Sequence, residues 1–164
     1  MIQLTTNYGV ISIELAEDKV PATCANFKSY VESGFFDGTL FHRVIPGFMV
    51  QGGGFDLNFE QKETQDQIEN EASRGLKNTR GTLAMARTME PHSATSQFFI
   101  NVVDNEFLDH TSETMQGWGY CAFATVTDGM DVVDKIVGVE TGRRGPHADV
   151  PSEDVIIEKA EWIA

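Results

Sequence analysis

A strand–turn–strand unit followed by three glycines occupies residues 41–54: Phe41-His42-Arg43-Val44-Ile45-Pro46-Gly47-Phe48-Met49-Val50-Gln51-Gly52-Gly53-Gly54. The proline and glycine at its centre predict a tight turn between two short apolar strands. Such a turn places Arg43 opposite Gln51 or one residue away, and the sequence does not fix the register. Arg43 has two interpretations: a surface arginine whose stem covers apolar atoms, or a functional hydrogen-bond donor.

The rest of the chain predicts more strands and two helices. Residues 2–15 alternate around an Asn7-Tyr8-Gly9 turn, which is typical of a hairpin. A helix is predicted from Pro21 to Gly34, with one apolar face made of Val20, Cys24, Phe27 and Val31. A second, short helix is predicted at Gly129–Val137. The other predicted strands are Leu40–Ile45, Phe48–Gln51, Thr82–Ala86, Gln97–Val102, Tyr120–Thr127 and Val155–Trp162.

Two segments carry no clear period. Residues 55–80 predict an ordered but irregular excursion, whose scattered apolar side chains pin it to the barrel wall. Residues 141–151, punctuated by glycine and proline, predict a loop. About eight closely spaced strands with two helices favour a mainly β, antiparallel barrel over an alternating βα fold. No linker divides the chain, so we expect a single domain over residues 1–164.

Composition narrows the classes of partner. The formal net charge is −13, from 12 basic and 25 acidic side chains. Because nothing supplies a basic face, we expect neither nucleic-acid nor membrane binding. The N-terminus lacks a signal-peptide pattern and no run reaches about 18 apolar residues, so a cytoplasmic location is expected. Cys24 and Cys121 lack metal-knuckle or redox-pair spacing and are expected to be buried free thiols.

Motifs for several familiar chemistries are missing from the sequence. It contains no GxSxG elbow, phosphate-binding loop or HExxH, and the three glycines at residues 52–54 are not followed by a Lys-Ser/Thr pair. The four histidines have no metal-ligand spacing. The sequence therefore predicts no metal site and no cofactor.

Residues 41–54, together with Met85-Ala86-Arg87 and Ser96–Asn101 downstream, resemble the cyclophilins, which are peptidyl-prolyl cis-trans isomerases. The resemblance extends over essentially the whole chain and is closest to the small bacterial cytoplasmic members. It implies a closed eight-stranded antiparallel barrel capped by two helices, and catalysis of rotation about X–Pro bonds. The implied substrates are proline-containing peptides and unfolded or flexible protein segments, and a monomer is the simplest expectation.

The resemblance also implies roles for individual residues. Arg43 corresponds to the catalytic donor, with Gln51 beside it. Phe48, Met49, Phe99 and Leu108 correspond to the proline pocket, and Phe107 borders it. Gln51 and Arg87 correspond to groups that hold the peptide backbone. The remaining substrate-binding residues implied are Ala86, Gln97 and Tyr120.

Three positions differ from many relatives. Phe107 stands where many eukaryotic cyclophilins have a tryptophan that bonds cyclosporin, so weak binding of such cyclic peptides is expected. Tyr120 replaces a histidine, and Arg87 replaces an asparagine. His42 alternates with Arg43, so its side chain is expected on the opposite face of the strand, in a structural role.

Two other classes of function remain open. A proline-binding or holdase module would use the same groove without turnover, and a structural barrel would serve as a subunit of something larger. The intact Arg43 favours the enzyme, because apolar contacts and backbone hydrogen bonds alone would suffice for binding.

Overall fold

The computed structural model describes residues 1–163. Eleven strands and two helices are found within that range. The strands are β1 Ile2–Thr6, β2 Gly9–Leu15, β3 Thr39–Leu40, β4 Arg43–Ile45, β5 Met49–Gly52, β6 Thr82–Met85, β7 Phe98–Asn101, β8 Ala122–Asp128, β9 Thr141–Arg144, β10 His147–Pro151 and β11 Ile156–Trp162. The helices are α1 Pro21–Glu32 and α2 Met130–Val137.

Nine of these strands form one antiparallel sheet in the order β3-β11-β1-β2-β8-β6-β7-β5-β4. Its two edge strands, β3 and β4, are separated along the chain only by Phe41 and His42. The sheet therefore curls until its edges lie next to each other in one continuous chain segment. The predicted fold class, mainly β with two helices, is confirmed.

The predicted strand Leu40–Ile45 is interrupted, which changes the strand count. Phe41 leaves the ladder and donates its N–H to the Val155 carbonyl at 2.9 Å. The side chains of Phe41 and His42 are both buried at this point. Counting β3 and β4 as one interrupted strand restores the eight strands that were predicted.

The core lies inside the curled sheet and is closed by α1. The four apolar residues predicted to share one face of this helix region are all buried. Phe27 contacts three other rings, with centroid distances of 5.0 Å to Phe36, 5.2 Å to Phe98 and 5.0 Å to Phe123. The helix ends where expected, since Gly34 adopts φ 75°, a left-handed conformation that favours glycine.

Residues 55–80 form the irregular excursion that was predicted. Backbone bridges join Ile68 to Ala94 and Leu76 to Ala122, and the side chains of Ile68 and Leu76 pack against buried apolar clusters as predicted. Its buried anchor, Glu71, accepts hydrogen bonds at 2.7 Å from the N–H and the hydroxyl of Thr23. Burial alone would raise the pKa of Glu71, but these bonds and the nearby Arg74 lower it below its usual value.

The prediction of a loop over residues 141–151 is wrong. The segment forms the β9–β10 ribbon, a two-stranded sheet separate from the main one, with its turn at Gly145 (φ 61°). Strand β9 is exposed along most of its length. The pattern of alternating buried residues that identifies a strand in a sequence is therefore lacking.

Both cysteines are buried and free, as predicted. Burial raises the pKa of Cys24 to about 12 and that of Cys121 to about 11. Among residues 1–163, no helix is long and apolar enough to cross a membrane, and no cluster of three or more potential metal ligands is found.

Candidate active site

The β4–β5 hairpin places Arg43 directly opposite Gln51, which resolves the register that the sequence left open. Arg43 Nη1 donates to Gln51 Oε1 at 3.3 Å, and Gln51 Nε2 donates to Gln97 Oε1 at 2.9 Å. The three side chains therefore form a hydrogen-bonded row across strands β4 and β5 and the segment leading into β7. Each is carried by a paired strand or lies next to one, which fixes its position more firmly than a loop would.

The Arg43 side chain is exposed, not buried. Although the chain carries 25 acidic residues, no carboxylate of residues 1–163 lies within 4.0 Å of this guanidinium. The charge of Arg43 is therefore not neutralised by a neighbouring acid among these residues.

An open cavity of about 140 Å³ lies beside Arg43. It is lined by Arg43, Phe48, Met49, Gln51, Ala86, Arg87, Phe99, Leu108 and Tyr120. Cavities that hold drug-sized ligands are typically about 300–1,000 Å³, so this one fits a small ring or side chain. All nine lining residues are among those predicted from the sequence.

The floor of this cavity is an apolar cluster separate from the main core. Its buried members are Met49, Ala84, Phe99, Leu108 and Ala122. On β5 the neighbouring residue Val50 belongs to the main core, so Met49 faces outward by alternation. The cavity therefore lies on the outer face of the curled sheet. In this region the sheet carries apolar side chains on its inner and outer faces alike.

The other two predicted residues lie next to the cavity without lining it. Phe107, on a 3₁₀ turn at Glu106–Leu108, is 75% exposed and stacks on Phe48 with ring centroids 5.7 Å apart. It forms the rim. Gln97 supports Gln51 and lines a neighbouring cavity.

Arg87 is held in a fixed position by the chain around it. Its Nε and Nη2 donate to the Gly119 carbonyl at 3.2 and 2.8 Å, and its Nη1 donates to the Thr88 carbonyl at 2.9 Å. The guanidinium carbon lies 4.4 Å from the centre of the Tyr120 ring. The Tyr120 ring in turn makes an edge contact with Phe99 at 5.8 Å.

A second cavity, of about 180 Å³, adjoins the first and shares Gln51, Ala86 and Arg87 with it. Its other lining residues are Gln61, Thr88, Ser93, Thr95 and Gln97. Except for Gln97, these residues were not identified from the sequence. They are polar loop residues with no distinctive spacing, and only their position near Ala86-Arg87 could have drawn attention to them.

A buried network of asparagine side chains was also not predicted from the sequence. Asn105 Nδ2 donates to the Phe48 carbonyl at 3.0 Å and to Asn101 Oδ1 at 2.8 Å. Asn78 Nδ2 donates to the Leu108 carbonyl at 3.3 Å. These amides hold the backbone of two pocket residues, Phe48 and Leu108. The sequence contains one sign of this network, because the otherwise apolar strand β7 ends in a polar residue, Asn101.

His42 directly precedes β4, and its side chain is buried while that of Arg43 is exposed, which agrees with the expectation that the two side chains point in opposite directions. It is 5% exposed, packs 4.5 Å from the Phe55 ring, and its Nδ1 has no hydrogen-bond partner within residues 1–163. Burial, together with the nearby His147 and Arg43, lowers the pKa of His42 to about 4. The imidazole is therefore neutral at physiological pH.

Comparison with known proteins decides the family. The family model described as "Cyclophilin type peptidyl-prolyl cis-trans isomerase/CLD" matches residues 1–162. The chain belongs to this family. Its activity is therefore the cis-trans isomerisation of peptidyl-prolyl bonds, as the resemblance implied.

Two curated relatives are similar in sequence to this chain along nearly its full length. Peptidyl-prolyl cis-trans isomerase B of Escherichia coli (strain K12) is 64% identical over 158 residues, covering 96% of each protein. The isomerase cyp18 of Streptomyces antibioticus is 56% identical over 160 residues, covering 98% of this chain and 96% of the relative.

A solved structure supports the same conclusion at lower identity. The cyclophilin-type isomerase of Cryptosporidium parvum, crystallised in the presence of the dipeptide Ala-Pro, superposes with a TM-score of 0.81 at 26% identity. The match covers 99% of this cyclophilin and 98% of that chain. Cyclophilins bind proline-containing peptides, and this chain shares their fold.

Proposed function

We propose that this cyclophilin isomerises X–Pro bonds by using Arg43 as a hydrogen-bond donor to the prolyl nitrogen of the twisted amide. The observation that most directly supports this proposal is the position of the Arg43 guanidinium. It is exposed at the edge of an apolar cavity of about 140 Å³, it bonds only to Gln51, and no carboxylate of residues 1–163 neutralises it.

The chemistry requires neither nucleophile nor metal. Amide resonance gives the peptide C–N bond a rotational barrier of about 18–20 kcal/mol. Rotation to the twisted state breaks that resonance and returns a lone pair to the prolyl nitrogen. A donor that bonds this lone pair binds the twisted state better than either planar state, and catalysis requires this difference.

The size of the effect is within reach of such a contact. Uncatalysed exchange takes tens to hundreds of seconds. Shortening it to milliseconds requires an acceleration of roughly 10⁴–10⁵, or about 5.5–7 kcal/mol. One charge-assisted hydrogen bond in a pre-organised site, combined with a fixed orientation of the substrate, supplies energies of this order.

In this proposal the proline ring enters the cavity over Phe48, Met49, Phe99 and Leu108, while Phe107 and Tyr120 flank it. Ala86 follows β6, and its small side chain allows an extended substrate backbone to approach closely. Gln51, held by Gln97, then contacts the peptide backbone.

The remaining expectations belong to the same proposal. We expect unfolded or flexible segments of proteins as clients, and neither nucleic acid nor membrane as a partner. The net charge of −13 supports that exclusion, because it repels phosphate-bearing surfaces. We further propose a cytoplasmic monomer with one domain over residues 1–164.

The test is cis-trans exchange of a short Ala-Pro peptide, measured by NMR with the wild type and with Arg43→Ala. Removing one such donor typically lowers kcat by about 10²–10³, and we expect a loss of this size while the peptide still binds. The matched control is Arg143→Ala, which removes an exposed arginine from the β9–β10 ribbon and leaves the rate unchanged.

Two outcomes contradict the proposal. Full activity in Arg43→Ala would remove Arg43 from the mechanism. Binding without accelerated exchange in the wild type would leave a proline-recognition module in place of an isomerase.

A further inference from the structure

Arg87 lies between the two cavities and is pre-organised there. Three of its five N–H groups are committed to the carbonyls of Gly119 and Thr88, and its guanidinium stacks on Tyr120. Within residues 1–163 the other two N–H groups, one on each terminal nitrogen, bond to no protein acceptor. A guanidinium already held in place loses little conformational freedom when it binds a further acceptor.

The second cavity, which shares Arg87 with the proline pocket, is polar and has a single ionised lining residue. Of its eight lining residues, Arg87 is the only ionised one, and the others are amides, hydroxyls and one alanine. The nearby Glu90 is exposed to solvent and does not line the cavity. Glu69 lines a smaller cavity that also includes Arg87, and it too is exposed to solvent. An anionic side chain entering the second cavity therefore meets a fixed cation and neutral donors, and no acid lines this cavity.

The distance from the proline pocket limits where such a side chain can lie in the substrate. The two cavities share Gln51, Ala86 and Arg87. Because an extended peptide advances about 3.3 Å per residue, a residue one or two positions from the proline reaches the second cavity. Its volume of about 180 Å³ admits one side chain of moderate size.

We propose that Arg87 selects substrates with an acidic side chain, Glu or Asp, within two residues of the isomerised proline. This inference rests on the proposed function, since it assigns the proline to the neighbouring pocket. A carboxylate accepts both remaining N–H groups as charge-assisted hydrogen bonds, whereas a glutamine amide offers a neutral acceptor and a lysine is repelled.

The overall negative charge of the protein disfavours acidic peptides, whereas Arg87 favours them, but the overall charge acts at longer range. A net charge of −13 repels acidic peptides during their approach. At an ionic strength of 0.15 M, interactions between exposed charges are screened beyond about 8 Å. Contact with Arg87 therefore decides the preference of the bound state.

The experiment measures kcat/KM by NMR exchange at 0.15 M salt for a set of Ala-Pro host peptides. Each peptide carries Glu, Gln or Lys at one of the four positions within two residues of the proline, and the position directly before proline is varied by replacing the alanine. We expect the Glu peptide to exceed the Gln peptide by about fivefold at one position, with the Lys peptide below both, which is the size typical of a partly exposed ion pair.

The variant Arg87→Gln is expected to bring the Glu/Gln ratio to about one, whatever happens to its overall rate. Arg143→Gln removes an equal charge from the distant ribbon and is expected to keep the wild-type ratio. A Glu/Gln ratio of one at every position in the wild type overturns the inference without requiring any variant to fold. The same ratio in Arg87→Gln as in the wild type also overturns it.

Failure of the underlying function gives a different result. If no peptide of the set is accelerated by the wild type, the isomerase proposal itself has failed. If the Gln peptides are accelerated but charge makes no difference, only the role of Arg87 has failed.

Discussion

At the scale of single residues, the site depends on Gln97, a side chain that does not line the proline pocket. Its Oε1 accepts the 2.9 Å hydrogen bond that holds Gln51, and Gln51 in turn accepts from Arg43. Gln97 is therefore a positioning residue for the proposed donor. A lost hydrogen bond of this kind costs about 1 kcal/mol.

Replacing Gln97 by leucine is expected to lower kcat about fivefold, which is the rate equivalent of about 1 kcal/mol. The Kd of an Ala-Pro peptide is expected to change less, because the apolar pocket is untouched. The exposed Gln67→Leu is the control. Weaker peptide binding, seen as a higher Kd, with an unchanged kcat would show that Gln97 shapes the pocket and does not orient the donor.

Phe107 leads to a prediction about cyclic peptides. The ring is 75% exposed at the rim and has no hydrogen-bond donor, whereas the tryptophan of many eukaryotic relatives has one. We expect weak cyclosporin binding, which calorimetric titration measures, and tighter binding by Phe107→Trp. Nanomolar binding by the unmodified protein would contradict this expectation.

At the scale of elements, the β9–β10 ribbon packs behind the strand that carries Arg43. His147 of the ribbon lies 6.5 Å from the His42 ring and 5.3 Å from the Phe55 ring, measured between ring centroids. The back of β4 is thus sealed by aromatic side chains contributed from distant parts of the chain. This contact buries His42 and keeps it neutral.

The buried His42 predicts a loss of stability in acid. Its pKa is about 4 in the folded protein against an ordinary value of 6.5. Below pH 6.5 the unfolded chain binds a proton at His42 that the folded chain excludes until about pH 4. The stabilisation present above pH 6.5 is therefore lost as the pH falls through this window, by at most about 3 kcal/mol.

Urea unfolding between pH 7 and pH 4 tests this prediction in the wild type and in His42→Phe. The phenylalanine keeps the ring contact with Phe55 but has no titratable group. We expect a shallower pH dependence in the variant, because the proton taken up by His42 on unfolding no longer contributes to the slope. Equal slopes in both proteins would mean that His42 is accessible to protons in the folded state.

At the scale of the whole molecule, the closed core protects both thiols. Cys24 is 1% and Cys121 is 4% exposed, and burial raises their pKa values to about 12 and 11. Because the thiolate is the reactive form, we expect iodoacetamide at pH 8 to modify neither in the folded protein and both in denaturing urea. Mass spectrometry that finds rapid modification of the native protein would contradict this.

The sequence predicted the parts of the molecule that repeat a local pattern. The α1 face, the β4–β5 hairpin and the nine pocket residues carry either periodicity or a family motif. The β9–β10 ribbon carries neither, because β9 is exposed and pairs with β10, and β10 in turn packs against β4, which is distant in the chain. The pairing register of β4 and β5 at Arg43, and the hydrogen bond from Gln51 to Gln97, could be determined only from the three-dimensional structure.

The separation of the pocket floor from the main core has a consequence for evolution and design. Met49, Phe99 and Leu108 belong to a small cluster outside the curled sheet, while the larger cluster lies within it. Because successive residues of a strand face opposite sides of the sheet, a pocket residue can change while its chain neighbour keeps its packing in the interior. One scaffold can therefore diversify the shape of its pocket while the composition of its interior stays constant.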